Sequence, residues 1–398
     1  MKEFRSYSDE SELFIKTTDI MFPGFDKEQI LIYDIDTTSF EAANGCVFLI
    51  GVLYYQNDEL QFLQLFSESI DEEAKIIEKF FDIAENYSVL LSYKGESFDI
   101  PFIGKRIYAL KHNELYRRFT ALRSRSFDLA GEIMSVKSCL GLSSTKLDYL
   151  RKKCGQQVPE RVSGENISKF YLEHIAAAKL KKLLETTGSA GNHDMIGEYR
   201  PKPIIDELAH IKPDSGDRFL TDILYRNKEN IESLIYLLRL SRLFTMRKGC
   251  FNTGIINNND TIEFAITVKD YELTIPVSCV NLTLKQFYPN YKDYYYFPAE
   301  DMAVHKSIAD FAASGSKKKA TAKTAYRNVE GRFITIPGAY AKSESNKDAS
   351  FYKSDFESDT YYLPADNLSG IKDTEIIKEL AYYLFLEYAS RNLNDILI

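Results

Sequence analysis

The chain has 398 residues, 44% hydrophobic and 13% aromatic, with a formal net charge of −8, which excludes a disordered polymer and leaves room for two domains. No window approaches the roughly 18 consecutive apolar residues of a membrane helix, and the start MKEFRSYSDESELF is too charged for a signal peptide, so a cytoplasmic protein with no membrane association is expected. The acidic balance argues against a surface coated in phosphate-binding groups, although local patches can still do that work.

In chain order, residues 29 to 35 read as a buried strand, and CVFLIGVLYY joined to ELQFLQLF across QND reads as a hairpin. A helix is expected over 71 to 85. SVLLSY (88 to 93) is a short buried strand ending in the turn KGES, and 98 to 110 has helical apolar spacing. The stretch from 128 to 186 looks helical, and a polar connection (187 to 216) leads to a strongly periodic helix over 217 to 244. Beyond a boundary near 247 the texture changes to β-branched and aromatic runs, such as TIEFAITV, YELTIPVSCVNLTL and YKDYYYFP, closing with an amphipathic helix near 373 to 390. The expected division is an N-terminal extension (1 to 25), an α/β domain (26 to 246) and a β-rich module (247 to 398).

Cys46, Cys139, Cys154, Cys250 and Cys279 are scattered, without zinc-ligand spacing, and read as free buried thiols. The five histidines show no pairing and read as surface or packing residues. Two basic runs stand out. Ile103 to Ser126 holds seven Lys or Arg against Glu114, and Ala303 to Arg332 holds seven against Asp310 and Glu330. Such runs are ordinarily solvated faces, but two in an acidic protein favour a polyanionic partner. In the second run KKKATAKTAYR fits either a solvated loop or phosphate contacts with Tyr326 stacking on a base.

The chemistry centres on ILIYDIDTTSF (30 to 40). On a strand, side chains two apart share a face, so Asp34 and Asp36 point the same way and call for a divalent cation between them. The structural alternative is a pair of strand-end carboxylates meeting solvent or capping a turn. DIDTT also fits the start of haloacid-dehalogenase-like phosphatases, with GDRFLTD (216 to 222) imitating their late metal motif, but that fold needs a parallel strand immediately before the late motif, which ELAHIKPDS is not, and no antiparallel hairpin straight after its first strand.

LLSYKGESFDIPFIGKRI, RSFDLAGEIM, CLGLSSTKLDYLRKKCG and LYRNKENIESLIYLL follow in order, and over roughly 29 to 244 the chain resembles the YprB-type ribonuclease H-like family of DEDD 3′ to 5′ exonucleases. The resemblance implies a ribonuclease H-like mixed α/β sheet flanked by helices, to which the C-terminal β-rich (α+β) module is appended. It implies Asp34, Asp36 and Asp99 as ligands of Mg2+ or Mn2+ in a two-metal phosphodiester hydrolysis. The chain departs from that pattern. The second carboxylate is Asp36 rather than glutamate, Lys94 replaces an asparagine, Arg226 a histidine, and Asn230 the final aspartate. Tyr225 and Glu229 have the spacing of one DEDD subclass and offer a rescue, but only if the helix turns by about 100°.

Asp128 reads as a structural carboxylate. Lys94, Lys105, Arg106, Arg117, Arg118, Lys317, Lys318 and Lys319 are the expected nucleic-acid contacts. The function expected is binding of single-stranded DNA or RNA with impaired exonuclease catalysis. The alternatives are a protein-interaction scaffold that kept only the fold, or a phosphatase, with the C-terminal module available to a protein partner.

Overall fold

The computed structural model describes residues 1–138, 140–157, 166–188, 216–346, 351–368 and 374–398. Met1–Ser135, Ser143–Ser241 and Ile398 form one compact unit, and Val136–Leu142 with Arg242–Leu397 a second.

The first unit is organised by strand β2 (Ile30–Thr37). It pairs antiparallel with β3 (Val47–Gln56), which pairs with β4 (Glu59–Phe66). The hairpin turn places Asn57 and Asp58 at φ of 55° and 60°. Positive φ at both central residues is the type I′ geometry whose twist suits flanking strands, and Asn and Asp tolerate it. On its other side β2 pairs in parallel with β5 (Val89–Ser92), which pairs in parallel with β6 (Ser126–Asp128). With an edge strand β1 (Lys2–Tyr7), the sheet order is β1-β4-β3-β2-β5-β6.

Parts of this unit departed from expectation. Residues 1 to 25, read as an extension, supply strand β1 (Lys2–Tyr7), antiparallel to β4, and helix α1 (Ser11–Met21). An edge strand exposes most of its side chains and so lacks the apolar alternation that marks inner strands. The 128-to-186 stretch opens on β6 and divides into α5 (Leu129–Val136), α6 (Leu147–Lys153) and α7 (Ile167–Gly188). The connection over 187–216 lies almost wholly outside the described residues.

Helices cover both faces of the sheet. On one face Leu31, Tyr33 and Ile35 of β2 meet α2 (Glu73–Ala84), α3 (Asp99–Ala109) and α4 (Asn113–Arg123). Ile76, Ile77, Phe80, Phe81 and Ala84 recur on one face of α2 at helical spacing, which is why it seats there. On the opposite face Phe48 and Phe66 pack against Tyr171 of α7 and Ile223 of α8 (Gly216–Leu238). The single helix expected over 217 to 244 breaks after Leu238 and resumes at Ser241–Arg247.

The second unit is β-rich. Strand β9 (Tyr271–Phe287) pairs through its first half with β8 (Thr261–Val268), itself paired with β7 (Asn252–Asn257). Its second half pairs with β13 (Tyr326–Ile336), which pairs with β15 (Tyr361–Pro364); β14 (Tyr352–Lys353) bridges β15 back to β9 and closes a small ring. A separate three-stranded sheet has β10 (Tyr294–Phe297) between β11 (Met302–His305) and β12 (Lys318–Lys319). Among the described residues no helix is long and apolar enough to cross a membrane. Cys46 and Cys154 are buried free thiols as expected, Cys250 is exposed, and Cys139 lies outside the described residues.

One buried ion pair ties the first unit together. Glu73, at the start of α2, accepts from Arg106 of α3 in a two-pronged pair (Nε to Oε1 2.9 Å, Nη2 to Oε2 2.8 Å) and from the Val47 amide of β3 (2.8 Å). The Arg106 Nη1 donates to the Ala42 carbonyl at 2.9 Å. Glu73→Ala strands Arg106 and the Val47 amide. It should lower unfolding free energy by about 3 kcal/mol in urea titrations, whereas Glu114→Ala, at an exposed pair, should leave the midpoint unchanged.

Candidate active site

Alternation along β2 decides where its aspartates go. Leu31, Tyr33 and Ile35 enter the core beneath α2 and α3, so Asp34 and Asp36 lie on the other face, the one covered by α8. The ladder to β3 shifts register between Asp36 and Thr37. This irregularity ends regular pairing just beyond the carboxylates, as bulges beside active sites do.

Helix α8 reaches this face because Gly51, the β3 partner of Asp34, has no side chain. A Cβ there would overlap Asn227 Oδ1 and crowd Ile231 Cδ1. The close approach lets Asn227 Nδ2 donate to Asp36 Oδ2 (3.1 Å) and Asp34 Oδ2 (3.4 Å), while Asn230 Nδ2 donates to Asp34 Oδ2 (3.2 Å). Gln64 of β4 backs this arrangement, donating through Nε2 to Asn227 Oδ1 (3.0 Å) and the Leu224 carbonyl (2.8 Å).

Asp99 arrives from the far side of β5, as the first residue of α3, and is buried. The turn that delivers it is held by Asp128, at the end of β6. Asp128 Oδ1 accepts from the Lys94 amide (2.8 Å) and the Ala130 amide (2.9 Å), and Oδ2 from the Glu96 amide (3.3 Å). Asp128 is thus structural, as its sequence context implied. Lys94 itself sits at φ 63°. That left-handed conformation is one asparagine adopts more readily than lysine.

The carboxylates are hard to ionise together. Burial raises Asp34 to about 6, against the opposing Asn230 hydrogen bond and the Arg226 charge. Burial and then the Asp34 charge raise Asp36 to about 8, opposed by the Asn227 hydrogen bond and Arg226. Asp99 is pushed well above the carboxylate range by burial and by Asp34, Asp128 and Asp36. The arrangement asks for a positive partner.

Asp34, Asp36, Asp99 and Asn230 line one open cleft of about 440 Å3, together with Lys94, Phe40, Phe98 and Ser168. Phe40, unremarked in the sequence, is 86% exposed at this cleft and meets Phe98 edge-on at 6.2 Å. Gln64 and Asn227 were also missed, because a neutral amide on a strand or helix carries no periodic or charge signal. Among the described residues no three His, Cys, Asp or Glu side chains gather as ready ligands of one metal ion. The donor set still suits a hard cation. Asp34 and Asp36 share a face, and Asn230 Oδ1 is buried without a hydrogen-bond partner, a neutral oxygen such ions accept.

The proposed rescue on α8 is not realised. Arg226 pairs with Asp148 of α6 at 3.2 Å, and Glu229 is buried between Arg151 and Arg226, each at 3.8 Å. Neither Glu229 nor Tyr225 lines the cleft. The helix face that meets the sheet is the one carrying Asn227, Asn230 and Ile231. The phosphatase alternative also fails here. GDRFLTD opens helix α8, and β2 is followed directly by an antiparallel hairpin.

Several expected nucleic-acid contacts are engaged by other groups of the same chain. Arg106 is committed to Glu73, Arg118 to Glu85 and Asp82 (2.6 and 2.7 Å), and Lys317 to the Ala309 carbonyl. Lys105, Arg117, Lys318 and Lys319 remain exposed, Arg117 beside Glu114 at 3.4 Å. Tyr326 is buried, its hydroxyl donating to Asp301, with Lys285 Nζ 4.1 Å from its ring centre, so it presents no stacking face.

Residues 31–187 match the family model described as RNase_H superfamily. No curated protein matches the chain. Among solved structures it is similar to the family B DNA polymerase of the hyperthermophilic archaeon Pyrobaculum calidifontis, at 10% identity and a TM-score of 0.32, covering 91% of this chain. The match spans 46% of that polymerase's length. With its three-stranded meander, its parallel β5 and β6 and helices on both faces, the first unit carries a ribonuclease H-like domain.

Proposed function

We propose that the ribonuclease H-like domain binds single-stranded nucleic acid in this cleft and is a weak or inactive metal-dependent 3′ to 5′ exonuclease. The observation that supports this most is the meeting of Asp34, Asp36, Asp99 and Asn230 in one open cleft. Asp34 and Asp36 would hold a divalent cation, with Asp99 adding negative charge from the α3 terminus. Such an ion activates water and stabilises the departing oxygen. Phe40 offers an exposed ring to a terminal base, and Lys94 a positive charge to a phosphate.

Weak catalysis follows from α8. Where the family supplies a carboxylate, Asn230 offers a neutral amide that already donates to Asp34. Arg226, where the family supplies a histidine, is held by Asp148 and has no lone pair with which to orient water. The scaffold reading is favoured by the internal use of Arg106 and Arg118, which leaves fewer cations for a phosphate backbone.

Release of mononucleotides from 3′-labelled single strands in Mg2+ or Mn2+ tests the catalytic part. Asn230→Asp should raise the rate by on the order of tenfold, Arg226→His alone should change it little, and the double variant should be fastest. Asp34→Ala should abolish what appears. Brisk degradation by the unmodified protein, stopped by Asp34→Ala, would overturn the impaired-site reading.

Salt titration tests the binding part. Affinity for single-stranded DNA or RNA should fall with a log–log slope of about −0.7 per phosphate contact. Phe40→Ala should weaken binding with no change in that slope. Absence of salt-sensitive binding at low ionic strength would leave the scaffold.

A further inference from the structure

The hydrogen bonds ending on Asp34 and Asp36 have one self-consistent orientation. The Leu224 main-chain carbonyl can only accept, so the Gln64 amide nitrogen faces it at 2.8 Å and gives its second N–H to Asn227 Oδ1 at 3.0 Å. Asn227 must then turn Nδ2 toward the aspartates, where it meets Asp36 Oδ2 at 3.1 Å and Asp34 Oδ2 at 3.4 Å. Asn227 is fully buried, and the space over Gly51 is just large enough for it. Asn230 Nδ2 adds a second donor to Asp34 Oδ2 at 3.2 Å. With two N–H groups on it, that oxygen has both lone-pair directions filled.

We infer that Asn227, oriented by Gln64, is a positioning residue: a fixed amide bridge that holds one oxygen of each aspartate and leaves room for one divalent cation rather than two. The inference rests on the metal-site reading above and deepens it. A two-metal site needs carboxylate oxygens to serve both ions, whereas here Asp34 Oδ2 has both lone-pair directions filled and Asp36 Oδ2 one of its two, so the Oδ1 atoms are the ones left without these donors. The bridge also separates like charges in the metal-free protein, so the pair is kept in register before any ion arrives.

The experiment is calorimetric titration of the full-length protein with Mn2+, with melting temperatures in EDTA and in excess Mn2+. The wild type should bind one Mn2+ per chain. Gln64→Leu, which leaves Asn227 in place but unoriented, and Asn227→Leu should each weaken Mn2+ binding by about tenfold or more. Both should also melt lower than wild type in EDTA. Asn227→Asp, which puts an acceptor where the donor was, should melt lower in EDTA and regain more on Mn2+ addition than the wild type does. Two Mn2+ per wild-type chain would overturn the single-cation site while sparing the metal reading. No Mn2+ binding by the wild type would overturn both. Unchanged Mn2+ affinity and unchanged EDTA melting in both Gln64→Leu and Asn227→Leu would overturn the positioning role of Asn227 alone.

Discussion

Two carboxylates on one face of a buried strand repel each other, and the first unit is arranged around that fact. Asp34 and Asp36 cannot be moved apart without breaking the strand, and burial makes their charge costly, so something must come to them. What comes is α8, and it can come only because Gly51 is bare. The rest of the fold reads as support for that approach. The hairpin sets Gly51 opposite Asp34, Gln64 on the next strand orients the amide, and α7 packs alongside α8 over Phe48 and Phe66.

Much of this was legible in the residues. The hairpin announced itself through QND, whose Asn and Asp take the positive φ the turn demands. The aspartates stood out because charge at the end of an apolar run is conspicuous, and Asp99 because its motif keeps its order and spacing. Legibility ended at α8. A helix presents residues to its surroundings every 100°, and sequence alone does not say which stripe faces the sheet. Arg226 and Glu229 looked like site residues from spacing, whereas their charges are used against Asp148 and Arg151. Asn227 carried no charge or periodic signal, yet it touches both carboxylates. The same blindness affected the basic run. Lysines and arginines advertise a partner without saying whether it is a phosphate or a carboxylate of the same chain; for Arg106 it is the buried Glu73, and for Arg118 the surface pair Glu85 and Asp82.

The second unit shows where aromatic abundance goes. Tyr288 and Tyr294 stack at 4.2 Å, Tyr296 and Tyr326 share the Asp301 carboxylate as hydrogen-bond acceptor, and Phe333 packs on Tyr352 inside the ring of strands. Inside that ring Phe333 and Tyr352 pack with Leu284, Leu282 and Val329, so these aromatic rings serve as core.

The bridge between Asn227 and Asp34 joins residues 193 positions apart. Strand β2 and its hairpin can pair as soon as they leave the ribosome, since their contacts are local, but α8 emerges only after most of the first unit has been made. Until then the two aspartates sit on an uncovered sheet face where water can solvate them, and their like charge does no harm. The polar pair therefore keeps the waiting face wet, discouraging premature contact with other apolar surfaces, and becomes a buried site in the same event that completes the domain.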